Sequence, residues 1–236
     1  EQWNHISENY SIGLNNFYVH PFVANTYFCE FANNPEFLKL IYEHLLNDKK
    51  KANSVVNLAG KYILFRGQGY KKPEVQSPNF YVSRSIRITS KSVLIKLLKS
   101  YYAVKCKFIT HHISNLDSAI NYAVKCGYKN IFLVGVDLYG DNYFWDDSDD
   151  PIYEKAQTFI HSFRQQMNYQ KDKNGRHATA SNSVANKLGK LTIVEYLELL
   201  QTEILSDMGI QLWVSNPNSL LATVLPVKII PKTKAS

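Results

Sequence analysis

The sequence predicts an α/β domain: a mainly parallel sheet flanked by helices, with one inserted segment standing outside the sheet as a lid. Three observations predict it. The run Ile131-Phe132-Leu133-Val134-Gly135-Val136 is short, apolar and β-rich, follows Gly127 and ends on Asp137, the pattern of a strand buried on both faces of a parallel sheet. Around it, residues 104–136 read strand, polar turn, helix, glycine, strand, which is the order of a βαβ unit with a right-handed crossover. Further on, Thr192-Ile193-Val194-Glu195 opens a capped helix that stops at Gly209 and leads into a last strand, Ile210-Gln211-Leu212-Trp213-Val214.

Composition narrows the class. At 236 residues and 45% hydrophobic content the chain suits one large domain, or one with a small subdomain. No apolar run approaches the roughly 20 residues a bilayer span needs, and Glu1-Gln2-Trp3-Asn4-His5 does not read as a signal peptide. Cys29, Cys106 and Cys126 have no paired spacing, which argues against a disulfide framework or zinc site and fits a reducing, cytoplasmic compartment. A net charge of +7 points to anionic partners: a nucleotide, a phosphate, or peripheral contact with an anionic membrane. Nucleic acid is not expected, because the basic residues are dispersed and no aromatic RNA-binding signature is present. Sixteen tyrosines suit sugar and nucleotide contacts, and suit a folded core as well.

Taken in order, residues 11–19 read as a strand running into Asn15-Asn16, and residues 27–31 as a second strand with no glycine-rich phosphate loop before them. Asn34 caps a helix with Pro35 at its first position, its apolar stripe Phe37, Leu38, Ile41 and Leu45, ending near Leu46 before Asp48-Lys49-Lys50-Lys51. Residues 55–58 and 62–65 are short strand candidates, and residues 66–73 a basic, aromatic loop without P-loop spacing. Ser90 caps a helix with Val93, Leu94, Leu97, Leu98 and Tyr101 on one stripe; with its lysines it reads as a surface helix packed on a sheet or as a membrane-surface helix. Val104, Cys106 and Phe108 alternate with lysines as a half-exposed strand. After His111-His112-Ile113, Ser114 or Asp117 caps a helix that turns Leu116, Ala119, Ile120, Ala123 and Val124 inward and closes at Gly127. Residues 152–167 are an amphipathic helix and 168–190 a polar run, and so long an insertion is expected to act as a lid.

Ligands of open α/β sheets bind outside the carboxyl ends of the strands, so residues 137–146 form one expected wall of a site. Tyr139 and Tyr143 offer hydroxyls to a leaving phosphate. Asp137, Asp141, Asp146 and Asp147 offer carboxylates for Mg²⁺, for base work or for nucleophilic attack, with solvated loop charge as the alternative and no diagnostic metal pair. The adjacent His111 and His112 point to opposite sides of an extended segment, so they do not ligate one metal together, and one is expected to face a ligand. His177, in the polar run, is suited to general-base work near neutral pH or is an exposed loop histidine.

Two stretches then resemble the bacterial lipooligosaccharide sialyltransferases. One is residues 127–143, a Gly-Tyr-Lys turn, an apolar strand, Gly-Val-Asp-Leu-Tyr and a further tyrosine; the other is Pro217-Asn218-Ser219-Leu220-Leu221-Ala222. A third, weaker likeness is Asn15-Asn16-Phe17-Tyr18. The pattern is similar also to that of Kdo and other nonulosonate transferases and to that of pterin pyrophosphokinases. The resemblance implies a GT-A-like, single nucleotide-binding domain over residues 1–145 and 191–236, with a lid subdomain over 146–190. It implies transfer of a 2-keto sugar acid from a CMP donor to a glycan or lipid-linked glycan acceptor, as in lipopolysaccharide or capsule biosynthesis at the inner membrane of a bacterium.

The same resemblance implies roles by position. Tyr139 and Tyr143 hold the departing phosphate, so no metal cofactor is required and Mg²⁺ is admissible but not essential. Asn15, Asn16, Asp137, Asn218 and Ser219, with His112, contact the nucleotide or donor sugar, and the turn at Ser114 and Asn115 faces the cytidine or donor. His177 takes the acceptor proton in an inverting reaction, while the Kdo-transferase likeness keeps a retaining route through a loop aspartate, Asp141 or Asp146, open. The family opens with a strand and a Gly-Asn-Gly-Pro-Ser loop that this sequence lacks ahead of Asn15, so the resemblance implies a chain that begins inside its domain. Where the family places an arginine, before its Thr-Ser-Gly turn, this chain has His112. The competing readings are a Mg²⁺-dependent pyrophosphokinase of the pterin type and a non-catalytic nucleotide-binding module; self-association is compatible with all three.

Overall fold

The structure, a computed structural model, describes residues 6, 9–29, 35, 36, 39, 43, 44, 63–65, 82–104, 108–139, 146, 149–166 and 175–230. The chain divides into two compact units, Glu1–Ser83 with Pro231–Ser236, and Arg84–Ile230. The architecture is mixed helix and strand, with the described strands in three small sheets rather than the one larger sheet the sequence predicts. Among the described residues no helix is long and apolar enough to cross a membrane.

In the first unit, β1 (Ile12–Leu14), β2 (Thr26–Cys29) and β3 (Ile63–Phe65) pair in parallel in that order. Gly13 is required by a close approach: a Cβ there would lie 2.8 Å from ring carbons of Phe17 and of Tyr27. The strand predicted over 11–19 ends at Leu14, because Asn15 takes a left-handed φ of 52° and turns the chain into a 3₁₀ segment, Asn15–Val19. Asparagine visits that region at little cost. Tyr18, Val19 and Tyr27 are buried, and the Tyr27 hydroxyl accepts from the Ala24 N–H at 2.9 Å. The helix predicted over 34–46, for the most part, and the segments 55–58 and 66–73 lie outside the described residues.

Strand β4 (Val82–Ser85), whose last two residues open the second unit, pairs with β5 (Phe108–His111), and within that unit β6 (Asn130–Leu133) pairs in parallel with β7 (Gln211–Val214). The half-exposed strand expected at Val104–Phe108 is displaced forward: Val104 is exposed, while Ile109, Thr110 and His111 are all buried. Helix α1 (Lys91–Ala103) buries Leu94, Leu98 and Tyr101, so its apolar stripe is spent on packing against the later helix α5 (Ile193–Leu200). Helix α2 (Asn115–Lys125) packs on β5. Its start is a capping box, Ser114 with Asp117, and its end is closed by Gly127 at φ 87°, with Gly127 N–H donating to Val124 O and Tyr128 N–H to Ala123 O. Every residue from Asn115 to Val124 is buried, so α2 is enclosed all round rather than on one stripe.

Strand β6 departs from the expected doubly buried strand over 131–136. It spans four residues, its hydrogen-bonded neighbour is β7, and β5 and β6 stand in different sheets. Phe132 is 39% exposed and Val134 38%. Their outward face is an aromatic one: Phe132 stacks on Trp213 across the ladder, and the Lys228 ammonium stands 5.4 and 5.1 Å from the two rings. The inner face carries Leu133, Leu212 and Val214 into the core.

Between β6 and α5 come a 3₁₀ turn (Pro151–Tyr153), α3 (Glu154–Gln166), a second 3₁₀ turn (Ala178–Ala180) and α4 (Asn182–Leu188). The second turn packs on α5. Helix α5 begins with the predicted capping box of Thr192 and Glu195 and passes into a π turn, Gln201–Leu205. Gln201, buried, ties that turn to the next strand by accepting from Leu212 N–H at 2.8 Å and donating to Ile210 O at 3.1 Å. This fixes where β7 starts and hence where it ends.

Candidate functional site

Parallel strands place their carboxyl ends side by side, and β6 and β7 run in register from Asn130↔Gln211 to Leu133↔Val214. The loops leaving them are fastened to one another. Ser215 N–H donates to Leu133 O at 3.1 Å, and Leu220 N–H donates to Asp137 O at 2.9 Å. Ser219, 3% exposed, donates its hydroxyl to Val136 O at 2.6 Å and accepts from Leu221 N–H at 3.1 Å. Asn216 donates to Asp137 Oδ1 at 2.6 Å and accepts from Asn218 N–H at 3.0 Å. The Ser219 hydroxyl is therefore committed to holding the two loops together, and the exposed groups are the Asp137 carboxylate and Asn218.

A third strand of chain joins this junction. Tyr139 forms an antiparallel bridge with Arg176, and His177 N–H donates to Leu138 O at 3.0 Å. Leu138 holds a left-handed φ of 60°, a conformation costly for a leucine and sustained here by the bonds on either side of it. Tyr139 is 52% exposed. The His177 ring caps the 178–180 turn: Nδ1 lies 2.9 Å from Thr179 Oγ1 and accepts from Thr179 N–H at 3.3 Å. Residues from three distant parts of the sequence, 137–139, 176–177 and 216–219, thus meet beside the ends of β6 and β7. Asp141 and Tyr143 lie outside the described residues.

The remaining nominated residues fall elsewhere. In the second unit, the loop after β5 wraps the buried Asp117, whose carboxylate accepts from the N–H groups of His112, Ile113 and Ser114 at 2.7, 2.7 and 2.6 Å. Burial raises Asp117 from 3.8 to about 6, against the opposing pull of those N–H groups and of Lys190. His112, read from the sequence as facing the nucleotide, has no exposed surface. It stacks on Tyr196 at 4.7 Å and accepts through Nε2 from Leu191 N–H at 3.0 Å, and burial together with the Lys190 charge lowers it to about 4. His111 is 2% exposed, with Nδ1 3.0 Å from Ser118 Oγ. Asn115 is buried in the first turn of α2, and Ser114 is half-buried at its cap. Both histidines thus hold the loop after β5 in place from the interior. In the first unit, Asn15 is half-buried at the end of β1, and buried Asn16 accepts from the Tyr18 hydroxyl at 3.2 Å.

Asp146 lies 3.4 Å from His161 Nε2 on α3. Among the described residues no group of three His, Cys, Asp or Glu side chains is placed to hold a metal. An open groove of about 610 Å³ runs along α3, lined by Pro151, Glu154, Thr158, Phe159 and Ser162, none of which the sequence singled out. The sequence reading also passed over Asn216 and Arg176. Asn216 was findable, because it stands at a strand's carboxyl end one residue before the Pro-Asn-Ser motif. Arg176 was not, because its bridge to Tyr139 spans a gap that no local pattern encodes.

No family model matches the sequence, and no curated protein matches it. Among solved structures the chain is similar to the crystal structure of a single-residue variant of the sialyltransferase CST-II in complex with CMP, with a TM-score of 0.40 and 17% identity, over 95% of this chain and 79% of that one.

Proposed function

We propose that this chain is a glycosyltransferase that moves a 2-keto sugar acid from a CMP donor to a hydroxyl of a glycan or lipid-linked glycan acceptor. The observation that carries the reading is the meeting of the two sequence motifs that resemble one transferase family. Residues 127–143 and 217–222 are far apart in sequence, yet Ser219, Leu220 and Asn216 bind directly to the backbone and carboxylate of Val136 and Asp137. Two stretches that contact one donor have to converge in this way, and they do so at the end of a parallel strand pair, where α/β folds bind ligands.

The chemistry follows from the residues there. The acceptor hydroxyl attacks the anomeric carbon as the bond to the CMP phosphate breaks, so a base takes one proton and the phosphate leaves as an anion. His177 is the proposed base. As the cap stands, Nδ1 accepts from the Thr179 N–H at 3.3 Å and Nε2 carries the ring proton, so base work by Nε2 requires the tautomer in which Nδ1 gives up that bond and donates to the Thr179 hydroxyl, 2.9 Å away. Tyr139, and by the resemblance Tyr143, donates to the leaving phosphate. Asn218 is proposed to meet the nucleotide, while Ser219 acts by fixing the loop that carries Asn218. Inversion at the anomeric carbon is the proposed outcome, since His177 supplies a base and CMP a good leaving group.

Thermal unfolding with nucleotides tests the reading. CMP in the presence of EDTA, at 100 times its Kd, stabilises a binding protein by about 2.7 kcal/mol, or roughly 5–10 °C for a chain of this size. Stabilisation by ATP only with Mg²⁺, and none by CMP, would replace the transferase with a pyrophosphokinase.

A further inference from the structure

A CMP-sugar acid brings two negative groups to its site, the phosphodiester and the sugar carboxylate, and Arg176 brings a permanent cation to the strand-end junction. Resting on the reading above, we propose that Arg176 is an anion-binding residue of this site, its guanidinium engaging the donor's phosphate or carboxylate from the same side as the Tyr139 hydroxyl.

The register supports this. In an antiparallel pair, directly opposed residues send their side chains to the same face, with Cβ atoms about 4.5–5.5 Å apart. Tyr139 and Arg176 are such a pair, and the adjacent bond from His177 N–H to Leu138 O locks the alignment. The two side chains therefore stand together, one a hydroxyl donor and one a fork of N–H donors matched to a planar or tetrahedral oxyanion. Arg176 is half-buried, and among the described residues no carboxylate pairs with it. Asp137, in the same junction, is held by Asn216.

The rest of the chain points the same way. Where the resembled family carries an arginine, His112 is enclosed in the core and lowered to about 4, so that position supplies no positive charge near neutral pH. Lys190 is 6% exposed, its ammonium 3.4 Å from Ser85 Oγ, and so it too is withdrawn from the strand ends. The inserted segment thus brings the cation to the site from the other side of the bridge.

Calorimetric titration of cytidine, CMP and a CMP-sugar against the full chain, Arg176→Ala and Arg176→Lys is the test. The bridge is made by main chain, so both variants should melt within a few degrees of the parent. If the guanidinium holds the phosphate, Arg176→Ala weakens CMP roughly 10- to 100-fold and leaves cytidine unchanged. If it holds the carboxylate, CMP and cytidine are unchanged and the CMP-sugar alone weakens. Arg176→Lys recovers part of either loss, because charge returns without the fork. Equal affinities throughout, or an equal loss for cytidine and CMP, would overturn the proposal. Should the parent bind no cytidine nucleotide, the transferase reading fails by itself, and inorganic pyrophosphate then decides the anion site: binding weakened by Arg176→Ala keeps it, and unchanged or absent binding removes it.

Discussion

Asn216 donates to Asp137 Oδ1 at 2.6 Å and so joins the loop after β7 to the loop after β6 at the mouth of the candidate site. The Asp137 side is exposed to solvent, and an interaction of that kind contributes little to global stability. Asn216→Ala is therefore expected to cost less than about 1 kcal/mol in denaturant unfolding. Its larger effect should be on the donor's KM, because Asn218, two residues on, loses the acceptor that orients its backbone. A variant with unaltered donor KM would separate Asn216 from the site.

Ser219 is the opposite case. Its hydroxyl is buried, donates to Val136 O at 2.6 Å and caps the turn that follows by accepting from Leu221 N–H. Removing it leaves buried partners unanswered, so Ser219→Ala should destabilise by about 1–3 kcal/mol. The measurement is the urea midpoint at constant m-value. Loss of donor affinity at unchanged midpoint would instead mean that the hydroxyl touches ligand directly.

Much of the local structure was legible because its signals are local. Ser114, Asp117 and Gly127 mark the two ends of α2, and Thr192 with Glu195 marks the start of α5, where the sequence places them. The assembly of strands was not legible, since pairing depends on residues far apart. The run at 131–136 has the composition of a doubly buried strand, yet Phe132 and Val134 stay exposed, Phe132 stacking on Trp213 beside the Lys228 ammonium. Asp137 and Ser219 were readable as candidates from strand-end position and resemblance; that Ser219 serves the loop, and that Arg176 reaches Tyr139, came only with the tertiary contacts. His112 misled for a physical reason: a polar residue after a strand reads as exposed, and nothing in its neighbours announces the stack on Tyr196.

The His177 tautomer sets a test of the proposed base. Its Nδ1 lies between the Thr179 hydroxyl and the Thr179 N–H, and only donation to the hydroxyl leaves the lone pair on Nε2. His177→Ala should lower turnover by roughly 10²–10⁴-fold with CMP affinity kept. Thr179→Val, which removes the hydroxyl and keeps the N–H, should lower turnover by less and move the acidic limb of the pH–rate profile. Tyr139→Phe should raise the barrier by about 2–4 kcal/mol with little effect on stability, the ring being half exposed. A Thr179→Val profile that overlays the parent's would take the hydroxyl out of the mechanism.

The buried pair behind the β5 loop predicts a pH dependence that can be assigned residue by residue. His112 is lowered from 6.5 to about 4, mainly by burial and then by Lys190. Between those values the unfolded chain binds the proton and the folded chain does not, so acidification from 6.5 towards 4 costs stability. Asp117 is raised by burial from 3.8 to about 6. Over that range the folded chain holds the proton and the unfolded chain does not, so acidification from 6 to 3.8 adds stability, and the contribution is lost as pH rises through 6. Each shift corresponds to a contribution on the order of 3 kcal/mol, and over the shared window of about 4 to 6 the two oppose. Asp117→Asn removes one of them. Its absolute stability will also fall, since an amide oxygen replaces two carboxylate oxygens that accept from three N–H groups, so the quantity to read is the slope. Unfolding free energies measured from pH 7 to 4 should decline more steeply for Asp117→Asn than for the parent below pH 6, and parallel curves through that window would show that Asp117 does not take up its proton there in the folded chain.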